Sequence, residues 1–265
     1  MSMETHPVHF NEEEFRAMVR IFGEISCMSA PINVRKARLM DVVSEMINAD
    51  LWMWTVTRFS SDGDYLTLNP LHRGLSVQQV AYLYEKSYWD CDVVPEVDGI
   101  VKLLKRGQPF SRTREQLVPD DTLEDNESFW LYRKKLDMGE SLYSFFPITQ
   151  DFWSCLGLHR RFGRDAFNNR ERRLAHAVIS EVDWLHRAET PSLNFDRISG
   201  LPRRLRKVLS LLLEGQCRKV IAGNLRLSEY TVRDYMSEIY HHFGVCSQVE
   251  LLRSLASTVE EGKGG

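Results

Sequence analysis

The last quarter of the chain has apolar residues at regular helical spacing. After Ser228 they form one stripe, which predicts a helix with a single buried face. The stripe consists of Val232, Met236, Ile239 and Phe243. The Ser228 hydroxyl can accept from free N–H groups of the first turn, so we expect the helix to begin there. Similar stripes predict three more helices, over 205–212 (closed by Gly215), 218–225 and 249–255. Only two residues separate the helix over 218–225 from Ser228, which is typical of a helix-turn-helix unit.

The first 188 residues have a different pattern, in which helical stripes alternate with apolar runs typical of strands. We predict one hairpin from strands over 51–59 and 65–68 and a second from strands over 141–148 and 152–159. The predicted helices start at Asn11, Asn33 and Ser76, and continue over 95–104, 129–136 and 169–188, whereas 108–120 is predicted to be a loop. These elements predict an α+β domain with an antiparallel sheet and helices on both sides. The boundaries that we expect are 1–188 for this domain, 189–199 for a linker, 200–258 for an all-α domain of four helices and 259–265 for a flexible tail.

The C-terminal helices resemble the LuxR/FixJ/GerE-type DNA-binding domain. The resemblance extends from Leu201 to Leu255 in the family's order and spacing. It rests on Val208-Leu209, Glu214-Gly215, Lys219, Ile221-Ala222, Leu225, Leu227-Ser228-Glu229, Thr231-Val232, Ile239-Tyr240, Gly244-Val245, Ser247 and Glu250-Leu251. Tyr235, His242 and Gln248 stand where the family often has His, Lys and Arg. The resemblance implies a helix-turn-helix transcriptional regulator that binds double-stranded DNA, commonly as a homodimer.

The charge distribution agrees with a DNA-binding C-terminal segment. The whole chain has a net charge of −3, but the segment from Arg197 onward has 11 Lys and Arg against 7 Asp and Glu, a net charge of +4. The preceding residues therefore have a net charge of −7. A basic domain beside an acidic one is expected when only one of them contacts phosphates.

The resemblance also implies which side chains contact DNA. We expect the helix after Ser228 to enter the major groove, with Arg233, Asp234 and Ser237 toward the bases and Tyr230 at the start of the helix. Arginine favours guanine, and Asp234 could accept from cytosine. The residues expected to position the phosphates are Thr231, Arg218, Lys219 and His242.

The N-terminal domain resembles the GAF/PAS-like sensor fold, and residues 162–174 resemble the entry to its last helix. LuxR-type regulators with such a domain often bind acyl-homoserine lactones. This sequence lacks the tryptophan and the proline of that family pattern, so a lactone is possible but not favoured. Aromatic side chains could wall a ligand site and a carboxylate could orient a polar group. These candidates are Trp52, Trp54, Tyr84, Tyr88 and Asp92. Alternatively, the aromatic residues form a core, and the domain acts only in dimerisation or protein docking.

The remaining chemistry offers no catalytic pattern. The five cysteines form no CxxC pair and are expected to be reduced thiols in the cytoplasm. The adjacent His241 and His242 point apart on a helix, so we expect no metal site and no cofactor. The sequence contains no nucleophile motif, phosphate-binding glycine loop or apolar run of membrane-spanning length, and we expect no signal peptide. An enzyme with an accessory C-terminal domain remains a rival, which the absence of a cleft with perturbed carboxylates or histidines would exclude.

Overall fold

The structure is a computed structural model that describes residues 12–59, 65–86, 94–119, 122–123, 125–187, 201–213 and 215–251. The segment before the sheet contains helices α1 (Glu12–Ser26) and α2 (Ile32–Met46), separated at Pro31. The strands are β1 (Leu51–Phe59), β2 (Tyr65–Arg73), β3 (Phe110–Thr113), β4 (Glu140–Pro147) and β5 (Phe152–Arg160). The helices among and after the strands are α3 (Val77–Lys86), α4 (Glu96–Leu104), α5 (Arg114–Leu117), α6 (Glu127–Leu136), α7 (Asn169–Glu181) and α8 (Trp184–Arg187).

The strands form one antiparallel sheet in the order β2-β1-β5-β4-β3. The two hairpins predicted from the sequence are joined side by side, because β1 pairs with β5. The strand pair β3 and β4 completes the other side of the sheet. The described part of the chain thus confirms an α+β fold whose sheet is antiparallel.

Alternating side chains separate the two faces of the sheet. Trp52 and Trp54 of β1 face one core, which they share with apolar residues of α1, α2 and α7. The opposite face of β5 carries Trp153 and Cys155, which pack with residues of α4. Near the same face, α3 and α6 contribute Tyr82 and Tyr132 to a further apolar cluster. Helices therefore cover both faces, as the sequence predicted.

The C-terminal helices are α9 (Arg203–Leu213), α10 (Arg218–Leu225) and α11 (Glu229–Phe243), and helical backbone resumes at 248–251. Ser228 is the N-cap of α11, since its hydroxyl accepts from the Thr231 N–H at 3.0 Å. Gly215 and Gly244 have φ angles of +78° and +65°, a conformation in which glycine commonly ends helices. The predicted helix-turn-helix geometry is confirmed, with Arg226 and Leu227 as the turn.

The C-terminal helices pack against the sheet as well as against each other. Val56 of β1 and Phe152 of β5 belong to the same buried cluster as Leu205, Val208 and Leu209 of α9. The Ser210 hydroxyl donates to the backbone carbonyl of Thr67 in β2 at 2.8 Å. We call this contact region the shared cluster. It physically connects the sheet to the helix-turn-helix unit.

Three local predictions differ from the structure. The predicted loop over 108–120 contains the edge strand β3 and the helical turn α5, which begins with a capping box between Thr113 and Gln116. Strand β2 extends to Arg73 instead of Leu68, with a register shift between Trp54 and Val56 of its partner. The long helix predicted over 169–188 ends at Glu181, after which α8 forms a separate turn. Within the described residues, no helix has both the length and the apolar character needed to cross a membrane.

Candidate functional site

One face of α11 is polar and open to solvent. Tyr230, Arg233 and Ser237 lie on it at helical spacing, and all three are exposed. The opposite face is buried by Val232, Ile239 and Phe243. Polar side chains on a helix that is packed on its opposite face form a surface of the kind that can enter a DNA groove.

The Arg233 side chain is oriented by its neighbours on the helix. Its guanidinium carbon lies 4.3 Å from the centre of the Tyr230 ring, in a cation–π arrangement. Its Nε and NH2 atoms also donate to Asp234 Oδ1 at 3.4 and 3.3 Å. These contacts leave the guanidinium on the exposed face, so base-edge recognition requires little reorganisation beyond release from Asp234.

The residues expected at phosphates surround this surface. The side chain of Arg218, which begins α10, pairs with Glu229 at 3.2 Å, and Lys219 is exposed beside it. The Thr231 hydroxyl contacts the Ser228 hydroxyl at 2.8 Å, at the start of α11. His242 lies half-buried at the other end of the helix, edge-on to Phe243. These residues therefore lie at both ends of the helix, although Arg218 would have to exchange Glu229 for a phosphate.

A buried cavity lies between the sheet and helices α4 and α6. Its volume is about 70 Å³, and its walls include Met53, Val97, Phe129 and Tyr143. Gly157 of β5 also faces the cavity, where a Cβ atom would lie 2.7 Å from His159 Nε2. The absence of a side chain at Gly157 therefore makes room for the imidazole itself, which a Cβ atom would displace.

A buried polar network crosses one wall of this cavity. The Arg133 guanidinium donates to Glu96 Oε1 at 3.2 Å, to Gly139 O at 3.0 Å and to Ser141 Oγ at 2.6 Å. Tyr143 donates to the same Glu96 oxygen at 3.3 Å. Burial and the Glu96 carboxylate together raise the pKa of Tyr143 to about 12. A buried ion pair is costly unless its remaining donors and acceptors are satisfied, and here most of them are.

Two atoms of this network lack a hydrogen-bond partner among the described residues: Glu96 Oε2 and His159 Nε2. His159 Nδ1 lies 2.6 Å from Ser141 Oγ, which already accepts from Arg133. The Ser141 hydroxyl therefore donates its proton to His159 Nδ1, which acts as the acceptor. The imidazole proton is then on Nε2, so Nε2 is an N–H donor. Burial, followed by the charge of Arg133, lowers the pKa of His159 to about 3. The site thus offers one carboxylate acceptor and one neutral imidazole donor.

The sequence-based ligand candidates do not surround this cavity as a group. Trp52 and Trp54 are buried on the other face of the sheet, where Trp52 Nε1 donates to Asp41 at 2.9 Å. Tyr84 lies in α3, but its side chain is outside the described set, and Tyr88 and Asp92 lie outside the described residues altogether. Sequence reasoning missed Glu96, Arg133 and His159, because no local spacing connects them.

Metal binding has no support in the described part of the chain, where no group of His, Cys, Asp and Glu is arranged to hold an ion. The described cysteines Cys27, Cys155, Cys217 and Cys246 are all free thiols. Burial raises the pKa of Cys155 to about 12, so this thiol stays protonated.

Several known proteins are similar to this chain. Escherichia coli SdiA is 14% identical over 92% of this chain and 97% of its own, with a TM-score of 0.44. SdiA in complex with octanoyl-rac-glycerol is 13% identical over 94% and 97%, with a TM-score of 0.45. The LBD domain of VqsR from Pseudomonas aeruginosa is 12% identical over 66% and 94%, with a TM-score of 0.40. No curated protein sequence matches the chain significantly.

The family comparison identifies the C-terminal segment. Residues 199–255 match the family model described as bacterial regulatory proteins, luxR family, named GerE. The matched range contains the capped helix-turn-helix unit of α10 and α11 and the helix α9 that supports it. Residues 199–255 are therefore a GerE-type helix-turn-helix DNA-binding domain of the bacterial regulatory proteins, luxR family.

Proposed function

We propose that this protein is a cytoplasmic, sequence-specific transcriptional regulator whose helix α11 reads the major groove of DNA. The observation that carries the proposal is the exposed polar face of α11, where Tyr230, Arg233 and Ser237 stand together on a buried apolar support. Asp234 lies beside them, and Arg218, Lys219, Thr231 and His242 supply the candidate phosphate contacts.

The experiment is selection of binding sites from a pool of random DNA duplexes by the full-length protein, followed by sequencing. We expect one enriched motif and binding that weakens as salt increases. Enrichment of no motif, with binding of equal strength to all duplexes, would contradict sequence-specific reading by α11.

We propose further that two copies bind DNA together. A half-site read by one short helix gives limited affinity, and dimers of helix-turn-helix proteins bind half-sites one helical turn apart. Phe15 and Val19, one turn apart on α1, are each 57% exposed and offer an apolar contact surface. A roughly palindromic enriched motif and a dimeric mass in solution would support this assembly. A single half-site bound by a monomer would contradict it.

We infer that the cavity between the sheet, α4 and α6 receives a small effector. The supporting observation is the pair of unpartnered atoms, Glu96 Oε2 and His159 Nε2, since buried polar groups normally have partners. At about 70 Å³ the cavity is well below the roughly 300–1,000 Å³ of common ligand pockets. A larger effector would therefore have to displace α4 or α6. That displacement would transmit the effect of effector binding to the rest of the molecule.

Thermal unfolding of the full chain against a panel of small molecules, including acyl-homoserine lactones, tests this inference. A ligand that binds only the folded state raises the midpoint, by an amount that grows with the logarithm of the ligand concentration above Kd. Gly157→Ala places a methyl group against His159 and should abolish that increase. A panel in which no compound raises the midpoint in a concentration-dependent way, or an increase that Gly157→Ala leaves unchanged, would contradict an effector in this cavity.

The alternative is an N-terminal region that binds no effector and serves in dimerisation or protein docking. The burial of Trp52 and Trp54 in a packed core favours this alternative for that face of the sheet. Under this alternative, no compound in the thermal panel should raise the midpoint of unfolding, while the full chain still binds its DNA motif as a dimer.

A further inference from the structure

A second cleft, separate from the buried cavity, lies between helix α7 and the edge strand β3. Its volume is about 630 Å³, within the range of small-molecule sites. Asn169, Arg172, Arg173 and His176 line it from α7. Their spacing of three, four and seven residues places them on one face of the helix. Arg106 and Arg112 line it from the opposite side, before and within β3.

The cleft is strongly cationic. Four arginines line it, and no Asp or Glu is among its described lining residues. Arg106, Arg112 and Arg172 form no ion pair with any carboxylate in the described part of the chain. By contrast, buried arginines elsewhere in the same region are paired, as Arg133 is with Glu96 and Arg160 with Glu171.

Backbone contacts hold two of these guanidinium groups close together. Arg112 NH1 donates to the carbonyl of Ser111 at 2.8 Å, and Arg172 NH1 donates to the same oxygen at 3.3 Å. Arg172 NH2 also donates to Asn169 Oδ1 at 2.7 Å, and the Arg172 Nε atom is buried without a partner. His176 Nδ1 lies 3.3 Å from Ser111 Oγ, which places the imidazole beside the two arginines.

These cations repel one another across the cleft. Burial and then the charge of Arg106 lower the pKa of Arg112, while burial, Arg112 and Arg173 lower the pKa of Arg172. Burial and the same two arginines, Arg172 and Arg112, lower the pKa of His176, against a small opposing effect of Glu181. Like charges held together are destabilising unless a ligand of opposite charge relieves the repulsion.

We propose that the cleft between α7 and β3 binds a small phosphate-bearing anion with at least two phosphate groups. Planar guanidinium groups bind phosphate oxygens in a bidentate manner, and several of them can surround two adjacent phosphates. Asn169 and His176 add polar contacts at the two ends of the α7 face. The apolar Pro109 and Leu103 at the other wall offer a surface for a base or another attached group.

Titration calorimetry of the full-length protein with pyrophosphate and with ADP at about 0.1 M salt tests this proposal. We expect saturable binding with one site per chain, weaker binding of sulfate, and affinity that falls as salt rises. Equal affinity for pyrophosphate and ADP would identify the phosphates as the recognised group, and tighter ADP binding would add a contact to the nucleoside. Absence of saturable pyrophosphate and ADP binding at millimolar concentrations would overturn the proposal.

Three substitutions locate the site. Arg112→Gln and Arg172→Gln should each weaken pyrophosphate binding about tenfold or more, because each removes charge-assisted hydrogen bonds. Arg106→Gln keeps the test valid if either of those variants unfolds, since the exposed side chain of Arg106 makes no hydrogen bond or ion pair within the described residues. Arg38→Gln, at an exposed position of α2, is the matched control with the same charge change, and this variant should bind pyrophosphate like the wild type.

A nucleic-acid contact at this cleft is the competing outcome. If Arg106→Gln and Arg172→Gln weaken binding to all duplexes equally and pyrophosphate does not bind, the cleft is a DNA-contacting surface and the proposal is wrong. An equal loss of pyrophosphate binding in Arg38→Gln would also overturn it, because the effect would then be one of overall charge.

Discussion

If α11 enters the major groove as proposed, Arg233 is its side chain best placed to distinguish one base from another. It is exposed and oriented by Tyr230 and Asp234. Arg233→Ala should weaken binding to the selected motif by about 1–3 kcal/mol and relax one base position. Titration of the motif and of its single-base variants measures both effects.

Two controls separate base reading from charge. Arg20→Ala changes an exposed arginine of α1 and should leave DNA affinity unchanged. Lys219→Ala should weaken binding to all duplexes to a similar extent. It should also lower the salt dependence of the affinity by the equivalent of about one phosphate contact. Unchanged preference at every base position in Arg233→Ala would show that Arg233 does not contact a base.

His159 should make the stability of the protein sensitive to acid. The unfolded state takes up a proton below about pH 6.5, whereas burial and Arg133 keep the folded imidazole neutral down to a pKa of about 3. The free energy of unfolding should therefore fall as pH decreases from 6.5 toward 3, by at most about 1.4 kcal/mol per pH unit from this group. His186, whose pKa burial lowers to about 4, acts in the same direction.

Urea unfolding at several pH values between 4 and 7 measures this dependence. His159→Gln should show a shallower decrease than the wild type even if the variant is less stable at neutral pH. Parallel curves for the two proteins would contradict a neutral buried His159.

At the scale of elements, the start of α11 depends on one hydrogen bond from its cap. Ser228→Ala removes the acceptor for the Thr231 N–H and should destabilise the protein by about 1 kcal/mol. Ser228→Asp retains a capping oxygen and should restore most of this loss. Urea unfolding of the full chain gives the comparison.

Ser237→Ala is the matched control for the cap, because Ser237 lies in the exposed interior of the same helix. Its effect on stability should stay within a few tenths of a kcal/mol. A loss as large as that of Ser228→Ala would mean that the cap has no special role.

The elements differ in how well the sequence predicts them, for physical reasons. α11 combines a cap, a stripe and a terminal Gly244, all local signals, and its predicted start was confirmed. β3 was missed because its four residues, Phe110–Thr113, form a segment too short to show the alternation of apolar and polar residues typical of a strand. They become a strand only by pairing with β4. α7 was predicted too long because Val182 and Leu185 continue its stripe, although the helix ends before them.

At the scale of the whole molecule, the shared cluster couples the sheet to the helix-turn-helix unit. Phe152 is 7% exposed and packs in the same cluster as Leu205 and Val208. Phe152→Ala should cost about 3–5 kcal/mol and increase hydrogen exchange in α9 as well as in β5. Exchange measured by mass spectrometry on the full chain tests both effects.

Phe110→Ala serves as the control of equal size, since Phe110 stacks on Phe145 at 4.8 Å in a cluster without C-terminal residues. It should increase exchange in β3 and β4 and leave α9 protected. The same change in α9 from both variants would show that the shared cluster carries no special coupling.

The candidate sites show where prediction from sequence stops. The proposed DNA-binding face lies within one helix, so residues a few positions apart were enough to predict it. The cavity joins Glu96, Arg133 and His159 across α4, α6 and β5, and the cationic cleft joins Arg106 to Arg172. Only the tertiary packing of these helices and strands brings the residues together, and no local spacing encodes that packing.

The shared cluster also has a consequence for protein engineering. Regulators are often recombined by attaching one protein's DNA-binding segment to another protein's sensor. In this protein, such a transplant would expose Val56 and Phe152 of the sheet to solvent. It would also expose the apolar side of α9 that packs against them. A working hybrid would need a matching apolar patch on the recipient sheet and an acceptor in place of the Thr67 carbonyl for Ser210. The compatibility of the two surfaces, more than the length of the junction, would decide which hybrids fold.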